Sequence, residues 1–113
     1  MNCIFCEIAA GGLPADIVYQ DEQVVAFRDR RPQAPVHILV IPREHIGGPL
    51  ALDGDREALA GRLITVAGAV AWQEGFADAG YRLVLNQGRD GGQSVFHVHL
   101  HVLAGRRMGW PPG

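Results

Sequence analysis

Basic charge is the first thing this sequence lacks. Ten Lys and Arg stand against twelve Asp and Glu in 113 residues, for a formal net charge of −2. A binder of duplex nucleic acid would need a basic face to neutralise phosphates, so that class is excluded. Long apolar runs are missing too. A stretch such as LITVAGAVAW falls well short of the roughly 20 residues that cross a bilayer, and no membrane role is expected. The opening MNCIFCEIAA has no basic leader and sets Glu7 where an export signal would be apolar, which points to a cytoplasmic protein. Cysteine is scarce: Cys3 and Cys6 are the only two. Three residues apart in a chain without an export signal, they favour metal or redox chemistry over a structural disulfide. There is no internal repeat and no low-complexity tract. An apolar content of 48% supports one modest core, so residues 1–113 read as a single domain.

What is present is a series of short patterned segments. IFCEIAAGGLP reads as a short helical turn closed by Gly11, Gly12 and Pro14. DIVYQDEQVVAFRD reads as two strands about a tight turn at Asp21–Glu22, and VHILVIP, Val36–Pro42, as a central third strand. HIGGPLAL reads as loop. Asp53 and Asp55 are N-cap candidates for a helix whose Leu59, Leu63, Val66, Ala67 and Val70 fall at helical spacing and which runs to about Gly75. YRLVLNQ is a fourth strand, GRDGGQS a glycine-rich loop and FHVHLHVL a fifth strand. The tail AGRRMGWPPG is irregular at its end but carries Trp110, which should dock on the rest of the molecule. Five strands around one long helix give an α+β domain with a mainly antiparallel sheet. Its uncovered edge and face predict pairing with a second copy.

Histidine is confined to five positions, and three of them, His97, His99 and His101, alternate with Val98, Leu100 and Val102. On a strand, alternation sends the imidazoles to one face and the apolar residues to the other. A solvated face has no need of histidine, so the row carries chemistry. It can ligate a metal, or one neutral imidazole can act as a nucleophile beside neighbours that orient or protonate. The loop just before it, NQGRDGGQS, favours the second: glycines let backbone N–H groups approach an anion, and Gln93 and Ser94 add side-chain hydrogen bonds. His37 opens the third strand, where it reaches the row across the sheet. Cys3 and Cys6 have metal-ligand spacing but supply half a site, and two nitrogens would complete a tetrahedral zinc set. A thiol–disulfide centre is the rival, although such motifs usually lie inside a βαβ unit.

These residues resemble a known family. HVHLHVL looks like the signature of the histidine-triad (HIT) superfamily, and FRDRRPQAPVHILVIPREHI, NQGRDGGQSVFHVHLHVLAGRRMGWPPG and IFCEIAAGGLPA resemble its Hint branch over essentially the whole chain. The resemblance implies a HIT-like α+β fold, with one long and one short helix, whose homodimer joins two five-stranded sheets into a continuous ten-stranded one. It implies hydrolysis of purine nucleoside phosphoramidates through a covalent nucleotidyl-histidine, releasing AMP or GMP, with no cofactor needed for the chemistry. It makes His99 the nucleophile, His101 the phosphate contact, His37 a supporting histidine and Ser94 the partner of the leaving nitrogen. Asn86, Gly92, Gln93 and Val95 then surround the phosphate. Ile4, Phe5, Phe27, Asp29 and Leu39 form the nucleoside pocket, with Asp29 on the ribose, and Trp110 belongs to the binding residues. A structural zinc would sit on Cys3, Cys6, His45 and His97.

One position departs from the branch. Arg30 stands after the ribose-binding aspartate where an apolar residue is usual, and it joins the candidate binding residues with base and ribose selectivity open. The competing functions are a dinucleoside polyphosphate hydrolase, a nucleotide-binding scaffold with incidental hydrolysis, and a zinc hydrolase that uses His97 and His99 as ligands.

Overall fold

Alternating apolar residues lay five segments side by side in one antiparallel sheet. The computed structural model describes residues 3–113. Its elements are α1 (Ile4–Ala9), β1 (Ile17–Gln20), β2 (Val24–Arg28), β3 (Val36–Pro42), α2 (Glu57–Gln73), β4 (Arg82–Leu85) and β5 (Leu100–Ala104). The strand order is β1-β2-β3-β5-β4, with every neighbouring pair antiparallel. The expected α+β class and the central place of β3 are both present.

Strand periodicity divides the apolar residues between two layers. Val24, Ala26, Ile38, Val40, Leu100 and Val102 face α2, which answers with Leu63, Val66, Ala67, Val70 and Ala71. Val25, Phe27, Leu39 and Ile41 face the other way and pack on Phe5 and Ile8 of α1. β3 is therefore covered on both sides, which is why VHILVIP, apart from His37, is apolar and does not alternate. The same alternation carries His37 and His101 to the α1 side, because Leu39 pairs with His101 and His37 with Leu103.

Turn chemistry matches the sequence at Asp21, whose Oδ1 accepts the backbone N–H groups of Gln23 and Val24 at 2.8 and 2.9 Å. Elsewhere the boundaries move. The stretch read as loop contains a 3-10 turn at Pro49–Ala51. Asp53 caps a second such turn, Gly54–Arg56, through the N–H of Asp55, so neither aspartate caps α2. α2 ends at Gln73, and Gly75 takes the left-handed conformation (φ +88°) that closes it. β4 covers only Arg82–Leu85.

The largest correction concerns the fifth strand. It begins at Leu100 and not at Phe96, leaving His97 and His99 ahead of it. β5 pairs with β3 up to Leu100–Val40, and two residues further along Pro42 has no N–H to continue the ladder. The N–H of Val98 turns to the carbonyl of Ile46 at 2.7 Å instead. Trp110 does not dock on the core. It is 82% exposed, with the Arg82 guanidinium 5.9 Å from its ring centre as Arg82 Nη2 donates to the Gly109 carbonyl. No helix among the described residues is long and apolar enough to cross a membrane.

Candidate active site

The α1 face of the sheet carries a cleft of about 1040 Å³. Its floor is Phe27 and Leu39 from β2 and β3, one wall is Ile4, Phe5 and Ile8 of α1, and His99, His101, Ser94 and Val95 close one end. Asp29, Arg30, Arg31 and Pro32 come from the loop after β2, and Pro14, Ala15 and Asp16 from the loop before β1.

Hydrogen bonds give the two cleft imidazoles opposite characters. His99 is almost buried, and its Nδ1 lies 2.8 Å from the carbonyl oxygen of His97. A carbonyl only accepts, so Nδ1 carries the proton and the Nε2 lone pair is left for the cleft. His101 is set by a relay of two residues. The backbone N–H of Gln33 donates to His37 Nδ1 at 3.0 Å, which places the proton of neutral His37 on Nε2. That Nε2 is 2.8 Å from His101 Nδ1, so His101 accepts there and holds its own proton on Nε2. The Nε2 of His99 thus offers a lone pair, whereas that of His101 offers a proton. Burial lowers the pKa of His37, against a weaker pull from Asp29, whose Oδ2 is 3.5 Å from its Nε2. His101 is lowered to about 4, first by burial and then by the neighbouring His99 and His37, and is neutral at pH 7. The rings of His99 and His101 lie 5.0 Å apart, and Phe5 packs edge-on against His99 at 5.1 Å.

The loop before His97 is a compact turn. Gly92 and Gln93 donate to the carbonyls of Arg89 and Gly88. Gln93 is a buried strut: its Oε1 accepts from Gly88 N, and its Nε2 donates to the carbonyls of Gly47 and Val95. A Cβ on Gly91 would lie 2.5 Å from the Gln87 carbonyl oxygen, which is why the loop needs glycine there. The N–H groups of Gly88, Gly92 and Gln93 therefore serve the loop itself, and only Ser94 and Val95 of this segment line the cleft.

Of the residues read from the sequence, Ile4, Phe5, Phe27, Asp29, Arg30, Leu39, Ser94, Val95, His99 and His101 line the cleft, with His37 directly behind His101. Asn86, Gly92, Gln93 and Trp110 are not among the lining residues. Sequence reading passed over Ile8, although it follows Ile4 at helical spacing, and over Pro14, Ala15, Asp16, Arg28, Arg31 and Pro32, whose place is set by loop paths that no periodicity encodes.

Beside the cleft, Cys3, Cys6, His45 and His97 bring one ligand atom each within 4.8 Å of one another. His97 Nδ1 lies 3.3 Å from Cys3 Sγ, 3.4 Å from Cys6 Sγ and 3.2 Å from His45 Nδ1, and Cys6 Sγ is 3.2 Å from His45 Nδ1. Zinc–nitrogen and zinc–sulfur bonds of about 2.0–2.3 Å give a tetrahedron edges of about 3.3–3.8 Å, close to these four spacings, so the donor set fits zinc. His97 Nε2 donates to the Pro42 carbonyl at 2.8 Å, which leaves Nδ1 as the ligand atom. Burial lowers its pKa and keeps it neutral, as a ligand must be. Burial and the neighbouring Cys3 push the Cys6 thiol up to about 11, a cost a metal would remove. A second set, Asp29, His37 and His101, is also close, but its imidazole nitrogens already bond one another. Neither set contains His99, which disfavours one catalytic metal on His97 and His99.

Residues 10–108 match the model of the HIT domain. The chain belongs to the HIT domain family. This HIT protein is 51% identical over 106 residues to the purine nucleoside phosphoramidase of Escherichia coli K12, covering 94% of this chain and 89% of that one. A HIT family hydrolase of Legionella pneumophila superposes with a TM-score of 0.97 at 48% identity, covering 99% of this chain and all of the other. A zinc-bound histidine triad family protein of Mycobacterium smegmatis matches with a TM-score of 0.80 at 33% identity, over 100% of this chain and 81% of its own.

Proposed function

We propose that this chain is a purine nucleoside phosphoramidase that works through a nucleotidyl-His99 intermediate. The opposed tautomers of His99 and His101 carry the reading: a lone pair just ahead of β5 and a proton donor within it face one cleft. The relationship to the Escherichia coli enzyme supports the substrate class.

The reaction follows from those two nitrogens. The nucleoside lies in the cleft of Ile4, Phe5, Phe27 and Leu39, with its ribose toward Asp29. His99 Nε2 attacks the α-phosphorus, forming a P–N bond as the bond to the leaving amine breaks. The Nε2–H of His101 holds a phosphoryl oxygen, where preorganised donors stabilise developing charge most. The Ser94 hydroxyl hydrogen-bonds the leaving nitrogen, which takes a proton from solvent at this exposed end of the cleft and departs as the neutral amine; a positioned donor is worth about 10²–10⁴-fold for so poor a leaving group. Water then displaces His99, releasing the nucleoside monophosphate and restoring the imidazole. Two easier displacements replace one hard one.

Cys3, Cys6, His45 and His97 would hold a structural zinc. It supplies charge that draws both thiols into thiolates and ties the start of α1 to the segment ahead of β5. The radius of gyration of 13.5 Å suits one domain of this length, about 13 Å. A homodimer is the assembly favoured by the apolar groove of Leu52, Leu63, Ile64, Leu83 and Leu85 beside the β4 edge, where Ile64 and Leu85 are exposed. The paired thiols suit a reducing cytoplasm.

Rapid quenching with adenosine 5′-phosphoramidate and mass spectrometry should find AMP bonded to the peptide containing His99. His99→Ala should lose turnover by about three orders of magnitude or more while keeping its fold. Near-normal turnover in that variant rules out the covalent route. Turnover of diadenosine polyphosphate in preference to the phosphoramidate would favour the polyphosphate hydrolase reading instead.

A further inference from the structure

The end of the cleft away from His101 is polar in a specific way. Pairing runs Ile17–Phe27, Phe27–Leu39 and Leu39–His101, so the start of β1 lies three strands from His101, a separation of about 14 Å. Pro14 and Asp16 are at that end, and Arg30 reaches Pro14: its Nη2 donates to the Pro14 carbonyl at 3.3 Å. This bond holds the guanidinium at the cleft wall and uses one of its five N–H groups. Asp16 also lines the cleft, with Oδ2 3.3 Å from Arg28 Nε and lone pairs remaining for a ligand.

A nucleotide with its phosphorus at His99 carries its base toward this end. We infer that Arg30, with Asp16 beside it, makes the pocket select guanine over adenine; the inference rests on the proposed phosphoramidase reading. Arginine offers donors only. Guanine presents two adjacent acceptors, O6 and N7, to such a fork, whereas adenine puts the N6 donor where O6 would be. The next edge of guanine bears the N1–H and N2–H donors, which match the Asp16 carboxylate, whereas adenine N1 is an acceptor that would oppose it. Both side chains thus discriminate in the same direction. The exposed position of Arg30 also means that its replacement leaves the core untouched.

The test compares kcat/KM for guanosine and adenosine 5′-phosphoramidates in the wild type, Arg30→Leu and Asp16→Asn, with GMP and AMP binding followed by calorimetry. The wild type should prefer guanosine, and Arg30→Leu should cut the guanosine-to-adenosine ratio by about tenfold. Asp16→Asn should move the ratio the same way. A ratio that shifts less than about twofold in Arg30→Leu, or an equal loss with both purines, makes Arg30 indifferent to the base and overturns the inference. A wild type that hydrolyses neither compound overturns the phosphoramidase reading alone, because the GMP-to-AMP binding ratio still decides the role of Arg30.

Discussion

His101 shows how a single side chain can be tuned by its neighbours. Its ordinary pKa of 6.5 would leave it partly charged near neutrality, yet burial and two nearby imidazoles bring it to about 4. In the unfolded chain it binds a proton below 6.5, whereas in the folded protein it does not until near 4. Stability from this group is therefore complete above about 6.5 and declines as the pH falls from there toward 4. Thermal unfolding followed across that window should show a falling Tm, and His101→Gln should flatten the decline. His37 acts one step further back. His37→Ala removes the donor that fixes His101, so kcat should drop by about 10²-fold, with KM changing less and the His99 adduct still detectable. The residue types at both positions were legible in the sequence. Their tautomers were not, because they depend on the backbone N–H of Gln33 and the carbonyl of His97, which only the folded chain brings into place.

Among the elements, β3 was the easiest to read and β5 the hardest. Six apolar residues in VHILVIP have a strong local preference, and burial on both faces agrees with it. The histidine row has equally strict alternation, but alternation describes where side chains point and not whether a partner strand continues. Pro42 ends the ladder on the neighbouring strand, an effect that no window around His97 contains. The same holds for α2, whose apolar stripe was plain while its start was displaced by a 3-10 turn that took Asp53 as cap. Ile38 gives a test of the layer opposite the cleft. It is fully buried against α2, so Ile38→Ala should lose about 2–5 kcal/mol in urea denaturation. The folded fraction should turn over substrate normally, since the residue faces away from the site.

At the scale of the molecule, the N-terminal segment is held to the sheet from two directions, by Phe5 and Ile8 in the apolar layer and by Cys3 and Cys6 in the cysteine–histidine cluster. Preparations of the protein should contain about one zinc per chain by elemental analysis. A strong chelator, or Cys6→Ser, should lower the Tm well before the chemistry at His99 is touched. Instant loss of turnover with an unchanged Tm would place the metal in the reaction instead. The family was legible in the sequence, since it rests on residue types at short spacing. The Arg30–Pro14 contact and the arrangement around Asp16 were not, because they join loops whose paths depend on the whole sheet.

His97 sits on both sides of this design at once. Its ring belongs to the cluster that anchors the first residues of the described chain, and its carbonyl oxygen receives the proton of His99. The aim of the His99 ring is therefore tied to a hook at the far end of the polypeptide. Loosening that hook frees the first turn of the chain before it turns the ring, so damage at the amino terminus would be felt as easier melting before it is felt as poor aim.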